Sequence, residues 1–146
     1  MSRRSPLQVV FDCGDPARLA DFYAGALGYK VQDPPAGYSS WEEWLKENGV
    51  PEEDWNLASA VVDPSGVGPR IYFQKMETPK LGKNRLHIDI NASAGTQVSL
   101  AERKAQVDAD VSRILGLGGV KDHVLEEGME YCVVMLDPEG NEFCVQ

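Results

Sequence analysis

Residues 7–13 (LQVVFDC) alternate weakly between apolar and polar and are rich in β-branched and aromatic side chains, which predicts a strand halted by Gly14. Asp15-Pro16 then offers an N-cap followed by proline at the first helical position. Leu19, Phe22, Tyr23, Ala26 and Leu27 recur at helical spacing, and Gly28 is placed to end that helix. A second strand is predicted over 29–32. From 33 to 56 prolines and glycines surround WEEWLKENGVPEEDW, where Trp41, Trp44, Leu45 and the charges between them predict a short amphipathic helix and a loop, an insertion at a sheet edge or mouth. Strands over 57–62 and 70–76 flank the turn Asp63-Pro64-Ser65-Gly66.

The polar stretch 77–83, broken by Pro79 and Gly82, reads as a linker, and after it the pattern begins again. A strand is expected over 86–90, then a helix over 100–115 with Val107, Val111, Ile114 and Leu115 on one stripe, ended by Leu117-Gly118-Gly119. Strands over 120–124, 129–136 and 141–145 follow, the last two joined by Asp137-Pro138-Glu139-Gly140. Both halves thus run strand, helix, then three strands with an Asp-Pro-x-Gly turn before the last. Leu7-Gln8-Val9-Val10 matches Leu86-His87-Ile88-Asp89, and Leu27-Gly28 matches Leu117-Gly118. This is a duplicated βαβββ unit: a module of about 5–77 carrying the insertion at 33–56, a linker over 78–83, and a second module of about 84–146. The fold class is α+β in a single domain.

Composition narrows the function classes. With 14 basic and 23 acidic side chains the net charge is −9, which opposes a phosphate backbone or an anionic membrane surface. The same charge draws a cationic small molecule, or simply keeps the protein soluble. No apolar run long enough to span a bilayer is present, and a cytoplasmic protein is expected. Cys13, Cys132 and Cys144 lack the paired spacing of a zinc site or a disulfide framework and are expected as reduced, mostly buried thiols.

Three segments, DPARLADFYAGALGYKV, KNRLHIDI and DPEGNEFCV, occur in this order at this separation over nearly the whole chain. In them the chain resembles the vicinal-oxygen-chelate superfamily, which includes glyoxalase I, fosfomycin-resistance and bleomycin-resistance proteins and extradiol dioxygenases. The resemblance implies paired βαβββ modules whose mixed sheets curl around an open cavity with helices outside, and a homodimer. In metal-dependent members one divalent ion is held by the first and last strands of each module. The matching positions here are Gln8, His87, Tyr72 or Gln74, and Cys144, where such members carry glutamate.

Glu142 lies two residues before Cys144 on the same strand face, about 6.6 Å away by the usual rise, too far to replace it without a bulge. No cofactor is therefore expected; a metal, if bound, would use Gln8, His87 and Glu142. Asp12, Asp89 and Glu142 share strand faces with Gln8, His87 and Cys144 and could serve as general acids or bases, or sit as solvated charges at the rim. Trp41, Trp44 and Trp55 could line a pocket for a flat or cationic ligand or pin the insertion to the sheet. Two functions follow: a metal-free binder of a small organic molecule similar to bleomycin-resistance proteins, or a lyase or isomerase similar to glyoxalase I.

Overall fold

The computed structural model describes residues 7–146 and divides into two compact units between Pro79 and Lys80. The expected start of the first module at residues 5 and 6 lies outside the described residues. In the first unit β1 (Gln8–Cys13), α1 (Pro16–Leu27), β2 (Lys30–Val31), α2 (Trp41–Glu47), β3 (Ala58–Val62) and β4 (Arg70–Lys75) build a four-stranded sheet in the order β1-β4-β3-β2. In the second, β5 (Asp89–Ile90), α3 (Leu100–Gly116), β6 (Val120–Glu127), β7 (Glu130–Leu136) and β8 (Glu142–Val145) build one in the order β5-β8-β7-β6. In each unit the first strand lies parallel to the last and the other pairs are antiparallel. The α+β fold with duplicated βαβββ modules is therefore present in both halves. Among the described residues no helix is long and apolar enough to cross a membrane.

Alternation of side chains along each strand gives each sheet one face for its helix and one for other purposes. In the first unit Leu19, Ala20, Phe22, Tyr23 and Ala26 of α1 are buried together with Val61, Ile71 and Phe73. Tyr23 stacks on Phe73 at 5.9 Å between ring centroids and lies 5.1 Å from Phe11, an offset arrangement that adds to the area buried. In the second unit Val107, Val111 and Ile114 of α3 are buried with Val133, Met135, Phe143 and Val145 of the sheet. The residues between these on the same strands, Gln8, Val10 and Asp12 or Glu142 and Cys144, occupy the opposite faces.

Helix α1 begins where the Asp15 side chain accepts the Arg18 N–H at 3.2 Å, and Gly28 ends it with φ 68°, a left-handed value that suits glycine. Asn56, at the far end of the insertion, donates to the same Asp15 oxygen at 2.8 Å and accepts from the Ala17 N–H at 2.9 Å. The Asn56 hydrogen bond, with that of Arg18, holds the Asp15 carboxyl below its ordinary value. Its contribution is therefore complete above the ordinary carboxylate range and disappears as pH falls through the lowered value. Asp15→Ala is expected to cost about 1 kcal/mol at neutral pH. In urea unfolding the gap to wild type should close as pH is taken below 3.8; a gap independent of pH would exclude the charged cap.

Two elements differ from expectation for identifiable reasons. The strand expected over 86–90 keeps a ladder only at Asp89–Ile90, since it pairs on one side alone with the four-residue β8, although Cys144 N–H still donates to the Ile88 carbonyl at 3.0 Å. Strand β6 runs on to Glu127, past the expected 124, because β7 pairs with it to Glu127 opposite Glu130. His123 accordingly lies inside β6, its Nδ1 2.6 Å from Asp122 Oδ2.

Candidate functional site

Two places bring the expected site residues together, one in each unit. The first is set by the turn before β8. Asp137, 2% exposed, accepts the Glu139 and Asn141 N–H groups on one carboxylate oxygen at 2.8 and 3.0 Å and the Asn141 side-chain amide on the other at 2.9 Å. So pinned, β8 leaves the turn in regular register, Leu136 opposite Glu142 and Val134 opposite Cys144, with no bulge near Asn141. On its other side Cys144 stands opposite Asp89 of β5.

The consequence is chemical. His87 Nδ1 is 3.1 Å from Asp89 Oδ1, and donor atoms of His87, Asp89 and Cys144 all lie within 4.8 Å of one another. Glu142 is directed elsewhere: its carboxylate accepts the Asn84 N–H at 2.8 Å and Lys80 Nζ at 3.2 Å, and that backbone hydrogen bond leads in lowering its pKa. Glu142 therefore fastens residues 80–84 to β8 and does not join the His87 cluster. Burial pushes the Cys144 thiol up to about 12, with hydrogen bonding to Cys132 and the charge of Asp89 acting in the same direction. A thiol so placed holds its proton more firmly than a free one and is a weak nucleophile.

One imidazole, one carboxylate and one sulfur differ from the carboxylate-rich sets that hold hard divalent ions. In the first unit Gln8 spends its amide oxygen on Arg70 Nη1 at 2.9 Å. Tyr72, at the position matching Cys144, lies beneath the Arg70 guanidinium at 5.4 Å. Asp12 and Gln74 stand opposite each other on β1 and β4, both exposed, and neither lines the cavity described next.

That cavity, of about 550 Å³, lies in the first unit between the free face of the sheet and the insertion, within the roughly 300–1,000 Å³ typical of small-molecule sites. Ala58, Ala60, Arg70 and Tyr72 form its sheet side; Trp41, Trp44, Leu45 and Trp55 form its insertion side. The small side chains of Ala58 and Ala60, opposite Gln74 and Tyr72 in register, leave the space. Helix α2 is capped by Ser40, whose hydroxyl accepts the Glu43 N–H at 3.1 Å, yet it buries no residue. Its attachment comes from aromatic side chains: Trp41 Nε1 donates to the Gln32 carbonyl at 2.7 Å, and in the following turn Trp55 Nε1 donates to the Val50 carbonyl at 3.0 Å beneath Lys46. Trp44, one helical turn from Trp41 and edge-on to it at 5.7 Å, lines the same cavity. Trp41 thus ties the insertion to the end of β2, Trp55 braces the insertion internally, and all three tryptophans line the cavity.

Arg70 and Gln32 also belong to the cavity and were not among the expected site residues. The sequence signal for Arg70 was a single basic residue two places before Tyr72, hence on the same strand face; Gln32, at the end of a two-residue strand, gave none.

With this geometry described, comparison with known proteins adds a family. A family profile described as a glyoxalase-like domain matches residues 8–146. No curated protein sequence matches. Among solved structures, a glyoxalase/bleomycin resistance protein/dioxygenase family enzyme from Burkholderia phytofirmans superposes with a TM-score of 0.61 at 16% identity, covering 94% of each chain. A possible glyoxalase from Bacillus cereus gives 0.57 at 13% identity, again over 94% of each chain. A mutant of the fosfomycin resistance protein FosX from Listeria monocytogenes, complexed with Mn(II) and 1S,2S-dihydroxypropylphosphonic acid, gives 0.59 at 12% identity over 97% of this chain and 89% of its own. At these identities the likenesses establish a shared fold.

Proposed function

The chain belongs to the glyoxalase-like domain family, within the vicinal-oxygen-chelate superfamily, and from that premise we propose that it binds a small organic molecule in the tryptophan-lined cavity of its first unit, without the catalytic metal of the metal-dependent members. The observation that carries this reading is the cavity of about 550 Å³ whose insertion side is built from three tryptophans on a segment with no buried residue in its helix. A helix that leaves its aromatic side chains half-covered over a cavity has apolar surface still to bury, and a flat ligand between Trp44 and Tyr72 would bury it. The metal-free part of the reading is supported by Cys144 beside His87 and Asp89, and by Glu142 being taken by Asn84 and Lys80.

A divalent-metal-dependent lyase or isomerase is the second reading, favoured by the convergence of His87, Asp89 and Cys144 within 4.8 Å. There a metal would polarise substrate oxygens. The two are separated by titrating protein dialysed against EDTA with a panel of flat aromatic compounds while following tryptophan fluorescence. Binding is expected without added metal, and about tenfold or more weaker in Trp44→Ala. Binding that appears only after Mn²⁺ or Ni²⁺ is restored, or that ignores Trp44→Ala, contradicts the proposal.

A further inference from the structure

Among the described residues Arg70 is the one basic side chain lining the cavity, and it is held there in an unusual way. Its Nε donates to Gln32 Oε1 at 2.7 Å and its Nη1 to Gln8 Oε1 at 2.9 Å, while its plane lies over the Tyr72 ring at 5.4 Å. These contacts fix the direction of the guanidinium without neutralising it, since both acceptors are amides and the ring is uncharged. Among the described residues no carboxylate forms an ion pair with Arg70. A guanidinium has five N–H donors, so three remain after the two glutamines are served. Because a guanidinium only donates, both glutamines must turn their oxygens to it, which leaves their NH₂ groups as further donors beside it.

An oriented, uncompensated guanidinium with a free donor edge matches the planar two-oxygen geometry of a carboxylate or the related oxygens of a sulfonate or phosphonate. Among the described residues Asp21, Glu42 and Asp54 line the cavity too: Asp21 and Glu42 are solvent-exposed, where water and salt screen them, and Asp54, half-buried in the insertion, forms no ion pair with Arg70, which is itself half-buried against an aromatic ring. The net charge of −9 describes the whole surface; the chemistry at Arg70 is opposite in sign.

We propose that the ligand of this cavity is a flat, largely apolar organic acid, its ring system among Trp41, Trp44 and Trp55 and its anionic group on the free edge of Arg70. This rests on the reading of the cavity as the ligand site, and adds the charge of what enters. Gln8 and Gln32 are positioning residues, acting through Arg70 by holding the fork toward the ligand.

Two fluorescent probes differing by one charged group test it: 8-anilinonaphthalene-1-sulfonate and its neutral parent N-phenyl-1-naphthylamine. Each is titrated into wild type, Arg70→Gln, Arg70→Lys, Gln32→Ala and Trp44→Ala, each variant first shown by near-UV circular dichroism to keep the wild-type fold. The sulfonate is expected to bind wild type, to weaken about tenfold or more in Arg70→Gln, and to weaken to a lesser degree in Arg70→Lys and Gln32→Ala, which keep the charge and lose the oriented fork. The neutral probe is expected to change less than about twofold in all three and to weaken, as the sulfonate does, in Trp44→Ala. If both probes bind and Arg70→Gln weakens neither or both equally, recognition of an anion is overturned while the cavity stands as a ligand site. If neither probe binds wild type, or Trp44→Ala leaves both unchanged, the cavity reading itself fails and this inference with it.

Discussion

Cys144→Glu is expected to raise the affinity of the His87 cluster for a divalent ion well above that of the wild-type protein. The regular register of β8 places residue 144 opposite Asp89 and beside His87, so a carboxylate there joins an imidazole and a second carboxylate. Without a cation the two carboxylates repel each other; a divalent ion removes that penalty and binds a set rich in oxygen donors. Mn²⁺ affinity by isothermal titration calorimetry is expected to rise roughly a hundredfold or more over wild type, at least the upper end of what changes outside the ligand shell bring about. His87→Ala in the same background should remove the gain. Glu142→Gln should leave it, because Glu142 is engaged by Asn84 and Lys80 rather than by the cluster. Tight binding by wild type, lost in Glu142→Gln, would reverse the assignment of the last strand and restore the metal-dependent reading.

The largest expected loss of stability is at Phe73. Its side chain is fully buried at the centre of the first unit, 5.7 Å from Phe11 and 5.9 Å from Tyr23 between ring centroids. Phe73→Ala removes the ring and leaves a void that two neighbouring aromatic rings cannot close by rotating, so a loss of about 3–5 kcal/mol is expected in urea unfolding. Val10 is the control, since it sits on the opposite face of the same sheet and is 51% exposed. Val10→Ala should change stability by no more than about 0.5 kcal/mol. Equal effects at the two positions would contradict the division of this sheet into a helix-covered face and an open face.

That division was readable in advance because it depends on short-range rules. Alternation along a strand assigns Phe73 and Phe143 to one face and Tyr72 and Cys144 to the other, whatever the rest of the chain does. The caps of α1, the glycine that ends it and the turn at Asp137 are likewise local, and the repeat was visible because both halves solve the same packing problem with the same order of elements. Strand lengths were less legible: β5 and β6 end where their partners end, which is a property of pairing and not of either segment.

The candidate site divides in the same way. The sequence by itself determined that Cys144 stands where the resemblance implies glutamate in metal-dependent members, and that Glu142 shares its face. It left open which of the two meets His87, since a single bulge would exchange them. The tertiary structure decided this through the Asp137 turn, which sends β8 out in regular register, and through Asn84 and Lys80, which claim the Glu142 carboxylate. The role of Arg70 was also decided in three dimensions. Gln8, Gln32 and Arg70 lie 24 and 38 residues apart along the chain, and only the β1–β4 pairing and the short β2 strand bring the two amides to one guanidinium. A residue's type and strand face are written locally, but the partner that turns a side chain into a ligand site comes from another part of the chain.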